Sequence, residues 1–187
     1  MTDVLTQNDH DHDDEVSLLA RLLADANLRS RFIRESRRVA RELTQCPVAI
    51  AFLESLDHVQ LEAQAETLRL KRQHEVALLL PETWQNLGKN AAPLFETFSA
   101  DAAWPTGHNR HLHDAEAFGL WLTAQEGDQV HRTELNRVRF KVSGVSFSIR
   151  LIWRQTIISG LQILFRNSSG ECKDRVIGFR QRQSPSN

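Results

Sequence analysis

Apolar residues recur at helical spacing through the first two thirds of the chain, and at every second position after Gly127-Asp128. The first regime predicts helices and the second an antiparallel sheet. An α+β fold is therefore expected, with an N-terminal all-helical bundle followed by a C-terminal sheet of about four strands.

Within the helical regime, Val16, Leu18, Leu19, Leu22 and Leu23 form one stripe behind Asp13 or Asp14, either of which suits an N-cap. Asp25-Ala26-Asn27 is expected to break this helix. Leu28 to Leu43 reads as the next helix, with Leu28, Phe32, Val39 and Leu43 placed for burial under an arginine-rich face, and Pro47 forces a break after Cys46. Val48 to Leu56 is a short apolar stretch. Asp57 then caps the longest helix, about His58 to Leu80, whose apolar set includes Val59, Leu61, Leu68 and Val76. Shorter helices follow near Glu82-Leu87 and Ala92-Ala100. After the turn fixed by Pro105 and Gly107, a helix from His113 or Asp114 buries Phe118, Trp121 and Leu122.

In the alternating regime, Val138, Phe140 and Val142 interleave with Arg137, Arg139 and Lys141, which predicts a half-buried strand with a cationic outer face. Ser143-Gly144 supplies a turn. Phe147, Ile149, Leu151 and Trp153 are then expected to point inward, with Arg150 and, beyond Ile152, Arg154 outward. Further strands are expected at about Leu161 to Arg166 and Arg175 to Arg180, joined through Asn167-Ser168-Ser169-Gly170. The domain reading is a polar tail over 1–14, a helical partner-binding domain over 15–127, a β domain over 128–182 and a short tail over 183–187.

Charge sharpens this division. The net charge of -1 conceals two poles: residues 1–127 carry 12 Lys and Arg against 20 Asp and Glu, and residues 128–187 carry 11 against 4. A basic sheet suits an extended acidic partner, held by charge and by strand addition at an edge. Arg137, Arg139, Phe140, Lys141, Arg150 and Arg154 are the candidate peptide-binding residues. Two cysteines make no disulfide framework, and the N-terminus lacks the basic start and apolar stretch of a signal peptide, so a cytoplasmic protein with free thiols is expected. No membrane partner is expected.

The sequence offers no catalytic motif. His108, His111 and His113, with Glu116, suggest a metal site, but their spacing matches no standard zinc pattern, so turn-fixing or a protein contact is preferred and no metal is assigned. Arg29 to Arg41 suggests a phosphate-tracking helix, the basis of an alternative reading as a nucleic-acid-binding regulator. A solvated face partly neutralised by Glu35 and Glu42 is preferred.

Several segments resemble a known family: Leu22-Leu23-Ala24-Asp25, Gln64-Ala65-Glu66-Thr67-Leu68, Leu80-Pro81-Glu82-Thr83-Trp84 and above all Trp104-Pro105-Thr106-Gly107-His108-Asn109-Arg110-His111. Over residues 16–124 they resemble the helical module found beside, or fused behind, the TIM-barrel multinuclear non-heme iron enzymes of the TglH/MbnB family. The helical-plus-basic-sheet layout looks like that of the TglI-like accessory subunits. The resemblance implies a non-catalytic subunit in a heterodimer with such an enzyme, presenting a ribosomally made precursor peptide with a C-terminal Cys whose β-carbon is excised, as in 3-thiaglutamate biosynthesis. It implies iron in the partner and no cofactor in this chain. Trp104, His108, Arg110 and His111 become the candidate partner-binding residues. No nucleic acid partner is implied.

Overall fold

The structure, a computed structural model, describes residues 15–102, 104–125, 130–154 and 157–179, with Arg154 and Ile157 described by backbone alone. The Gly127-Asp128 boundary and both terminal tails lie outside the described residues. The architecture is α+β: helices fill the N-terminal part and a three-stranded antiparallel sheet closes the C-terminal part.

The elements are α1 (15–24), α2 (Ala26–Arg34), α3 (Ser36–Leu43), α4 (Pro47–Glu54), α5 (His58–Leu79), α6 (Pro81–Leu87), a 3-10 turn (Gly88–Asn90), α7 (Ala91–Asp101), α8 (Arg110–Ala124), α9 (Arg132–Ser143), β1 (Phe147–Arg154), β2 (Ile157–Arg166) and β3 (Cys172–Gly178). Their contacts divide the chain into two units that interleave in sequence. One holds Met1–Gln73 and Ser99–Trp104, the other His74–Phe98 and Pro105–Asn187, so the division falls inside both α5 and α7.

In the first unit, Leu18, Leu22, Phe32, Val39, Ala49, Leu53 and Leu61 form one core. Asp25 both ends α1 and starts α2, because its carboxylate accepts from the Leu28 N–H at 2.9 Å. The helix expected over Leu28 to Leu43 is broken at Glu35, whose φ of -139° and ψ of 52° leave the helical region. Asp57 caps α5 as expected, accepting from the N–H groups of Val59 and Gln60 at 2.8 and 3.1 Å. Val16 and Val59, placed in apolar stripes by the sequence, are exposed.

In the second unit, Phe95 and Phe118 are fully buried among Trp84, Phe98 and Trp121. α8 starts at Arg110, earlier than expected. The largest correction concerns Arg137 to Val142, which is part of helix α9 and not a strand. The alternation of Val138, Phe140 and Val142 is embedded in a helical series, Leu135, Val138 and Val142, and over so short a window both periods fit. Gly144, at φ 68°, ends α9 in the left-handed conformation and is not a hairpin turn.

The sheet is ordered β1-β2-β3. Gly160 lies inside β2 and does not separate strands; a Cβ there would stand 2.8 Å from the Ile177 carbonyl oxygen, so only glycine fits this approach. The turn after β2 follows the sequence reading, with the Gly170 N–H donating to Asn167 O at 2.9 Å.

Candidate functional site

The second unit presents a small sheet with one face pinned to a helix; among the described residues the opposite face carries an exposed apolar row on β1, while Leu161, Ile163 and Phe165 of β2 are half-buried. α9 is fixed to the sheet at two places and to α6 at a third.

At its C-terminal end, Arg166 from the end of β2 donates through Nη2 to Lys141 O at 3.2 Å and through Nε to Val145 O at 3.1 Å, with its guanidinium 5.4 Å from the Phe140 ring centroid. A cation here satisfies the terminal carbonyls of α9 and opposes the negative end of its dipole. At its middle, the fully buried Gln162 donates through Nε2 to Thr133 O at 3.0 Å and to Asp174 Oδ2 at 3.1 Å, and accepts from Asn136 Nδ2 at 3.2 Å. Arg137 Nη2 donates to the same Asp174 oxygen at 2.9 Å. Burial pushes the Asp174 carboxyl up, but the hydrogen bonds from Arg137 and Gln162 and the Arg137 charge outweigh it, holding the group below its usual range. A depressed folded-state pKa contributes stability above the unfolded-state value and loses it as pH falls through the folded one. Asp174→Asn is therefore expected to cost about 1 kcal/mol at neutral pH, a difference that shrinks below about pH 4. Urea unfolding of both proteins across pH 3 to 7 measures it.

At its N-terminal end, the buried Glu134 caps α6 from a distance. Its carboxylate accepts from the Glu82 N–H at 2.7 Å, the Thr83 N–H at 2.8 Å and the Thr83 hydroxyl at 2.9 Å. The His131 N–H donates to that hydroxyl oxygen at 2.9 Å, while its ring bonds Thr133 through Nδ1 and Glu82 through Nε2 at 2.9 and 2.8 Å. Glu82, His131 and Glu134 are the one group among the described residues whose ligand-type atoms converge as a metal site would require. The donors around Glu134 and the two partners of the His131 ring make it a closed hydrogen-bond network that joins α9 to α6.

Strand register sorts the sheet into two faces, since paired residues share a face. Toward α9 lie Ser148, Arg150 and Ile152 of β1, Gly160, Gln162 and Leu164 of β2, and Asp174 and Val176 of β3. The outer face carries Phe147, Ile149, Leu151 and Trp153 from β1, Ile158, Leu161, Ile163 and Phe165 from β2, and Lys173, Arg175 and Ile177 from β3. The β1 row is 59%, 53%, 49% and 42% exposed in that order. The expectation that this row points inward beneath a cationic outer face is thus reversed.

Residues 53–124 match the family model of the SCO6045-like C-terminal domain. No curated protein and no solved structure matches the chain. The matched segment runs from the end of α4 through α8, so α9 and the sheet lie outside it.

The six candidate peptide-binding residues do not share one face. Arg137 is engaged by Asp174, and Arg139 pairs with Glu116 of α8 at 3.3 Å. Phe140 is buried and Lys141 half-buried on α9, whereas Arg150 is exposed on the α9 side of β1. The Arg154 side chain lies outside the described residues. The apolar outer face and the cations Lys173 and Arg175 were missed, although the same alternation contains them.

The candidate partner-binding residues fall on both sides of the unit division. In the first unit, Trp104 lies under the buried Arg72, whose guanidinium is 5.6 Å from its ring centroid, and helps line a cleft of about 410 Å3 with Arg21, Leu28 and Asp101. In the second, His108 sits in the exposed turn before α8, Arg110 opens that helix and is exposed, and His111 is half-buried. His108, His111, His113 and Glu116 do not converge as ligands among the described residues. Along the arginine-rich helices, Arg29, Arg31, Arg37 and Arg38 face Glu62, Glu42, Glu54 and Glu35 at 3.2, 2.6, 3.5 and 2.9 Å, which supports a self-neutralised face. No helix among the described residues is long and apolar enough to cross a membrane.

Proposed function

We propose that this chain is a non-catalytic accessory subunit that holds an extended peptide along strand β1 and works beside a multinuclear non-heme iron enzyme. The observation that carries the reading is the β1 edge: the strand pairs with β2 on one side and with no strand on the other among the described residues, and its outer row is apolar and exposed. An added strand would complete its main-chain hydrogen bonds and place alternate side chains beside that row. On the α9 side, the exposed Arg150 would meet acidic residues of the peptide. The peptide class that fits is one alternating apolar and acidic residues.

The nature of the enzyme rests on the resemblance of residues 16–124, and above all of Trp104 to His111, to the module that accompanies the TglH/MbnB family. In that reading the occupant of β1 is the leader of a ribosomally made precursor, and the partner's iron performs β-carbon excision at its C-terminal Cys. The chain contributes binding and no catalytic group, in a heterodimer whose enzyme contact involves Trp104, His108, Arg110 and His111.

A synthetic ten-residue peptide alternating Val and Glu tests the edge directly when compared with the same peptide N-methylated at four consecutive central residues, which removes two donors from whichever edge faces β1. The unmodified peptide is expected to bind the full chain at least tenfold tighter in a fluorescence anisotropy titration, because about two main-chain bonds near 1 kcal/mol each are removed. Equal affinities would overturn strand addition. Copurification with a coexpressed TglH-like enzyme tests the partner, and no complex at micromolar concentration would overturn that part.

A further inference from the structure

A peptide added at the edge of β1 would leave the outer face of the sheet uncovered. An antiparallel sheet with one face in water ordinarily alternates apolar residues inward with polar residues outward. Here β1 does the reverse: Phe147, Ile149, Leu151 and Trp153 point away from α9, while Ser148 and Arg150 lie on its side. A slip of one residue would invert this, yet the register is fixed on β2 by Gln162 and Leu164, both fully buried beneath α9. The outward apolar row is therefore a built feature, and contiguous apolar surface of this kind marks an interaction site.

We propose that this face is the docking surface for an amphipathic helix of a protein partner, with acidic residues along the flank that lies over β3. Size supports a helix. Phe147 to Trp153 spans roughly 20 Å and three strands span roughly 10 Å between outer axes, the footprint of one helix about 13 residues long. It would give the sheet a second helical layer opposite α9, a common layered architecture.

Charge selects the partner. Lys173 and Arg175 are exposed on the β3 side of this face; Glu171 just before β3 pairs with Lys173 at 2.9 Å, which leaves Arg175 as the cation with no acidic partner among the described residues. A second copy apposed through the same face would set Arg175 against apolar side chains or its own counterpart, with Glu171 already engaged by Lys173. An acidic flank supplies the countercharge, and favours this occupant over self-association.

The test uses the full chain and two synthetic 15-residue stapled helices with the same leucine stripe, one bearing Glu along a flank and one bearing Lys. Isothermal titration is expected to give at least tenfold tighter binding of the Glu helix. Ile149→Lys, an exposed position that should leave the fold intact, is expected to abolish binding, with its circular dichroism unchanged. Lys173→Glu with Arg175→Glu is expected to reverse the preference between the two helices. Equal binding of both helices, or binding unaffected by Ile149→Lys, would overturn the proposal. So would a concentration-dependent dimer of the wild-type chain that Ile149→Lys dissolves, since a second copy would then cover the face. The N-methylated peptide reports on the edge and these helices on the face, so either idea can fail alone.

Discussion

Glu134→Ala is expected to destabilise the chain by about 3–5 kcal/mol, more than any other single polar substitution in the α9 region. The carboxylate is almost fully buried and receives three donors, two of them the first free amides of α6. A negative charge at a helix N-terminus also opposes the positive end of the helix dipole. Truncation leaves the Glu82 and Thr83 amides without an acceptor and leaves only the His131 contacts to Thr83 and Glu82 in this network joining α6 to α9. Glu134→Gln keeps the volume and one acceptor oxygen, so a loss of about half that size is expected. Chemical denaturation of the three proteins gives both numbers. An alanine variant within 1 kcal/mol of wild type would sink the capping account.

This cap also shows where reading the sequence stops working. Asp25 and Asp57 cap helices that begin right after them, so spacing alone exposes them. Glu134 caps a helix whose bonded amides lie 51 and 52 residues earlier, and its own surroundings in sequence look like any polar stretch. Most helices up to α8 were legible from apolar stripes punctuated by Pro47, Pro81 and Gly88, but the break at Glu35 carries no Pro or Gly to mark it, and α4 showed only as a short apolar stretch. Val16 and Val59 joined stripes they do not share because periodicity marks a face without saying how wide its buried part is.

The sheet was legible in its strands and illegible in its facing. Alternation in β1 separates an apolar row from a polar one, and charge alone argued for Arg150 outward over a cationic surface. The structure resolves the choice through β2, where the residues turned toward α9 include the polar Gln162 and Arg166 and the outer row of Ile158, Leu161, Ile163 and Phe165 is apolar. Asn136 and Arg137 of α9 match Gln162 and Asp174, so polar pairing with a helix decides which face is covered. That pairing depends on α9 being a helix, the element whose short window also fits a strand. One ambiguity of period thus propagated into both the strand count and the candidate site: Arg137 and Arg139 became surface cations in the sequence reading and are intramolecular ion-pair partners in the fold.

Phe118→Ala is expected to cost about 3–5 kcal/mol, the range for deleting a fully buried aromatic side chain. Its ring centroid stands 5.2 Å from Phe95, 5.4 Å from Phe98, 6.0 Å from Trp84 and 6.2 Å from Trp121, so the cavity would open among side chains drawn from α6, α7 and α8. These rings hold one another by area and by edge, tilted and stacked contacts, so a ring moving into the space would give up contacts elsewhere. Phe118→Leu fills most of the volume and should lose about 1–2 kcal/mol. Tryptophan fluorescence supplies a second readout, because Trp84 and Trp121 both touch the deleted ring and should shift to longer wavelength in the alanine variant alone. If peptide binding at β1 survives in that variant below its unfolding midpoint, the proposed β1 edge works apart from the aromatic core, although both belong to one compact unit.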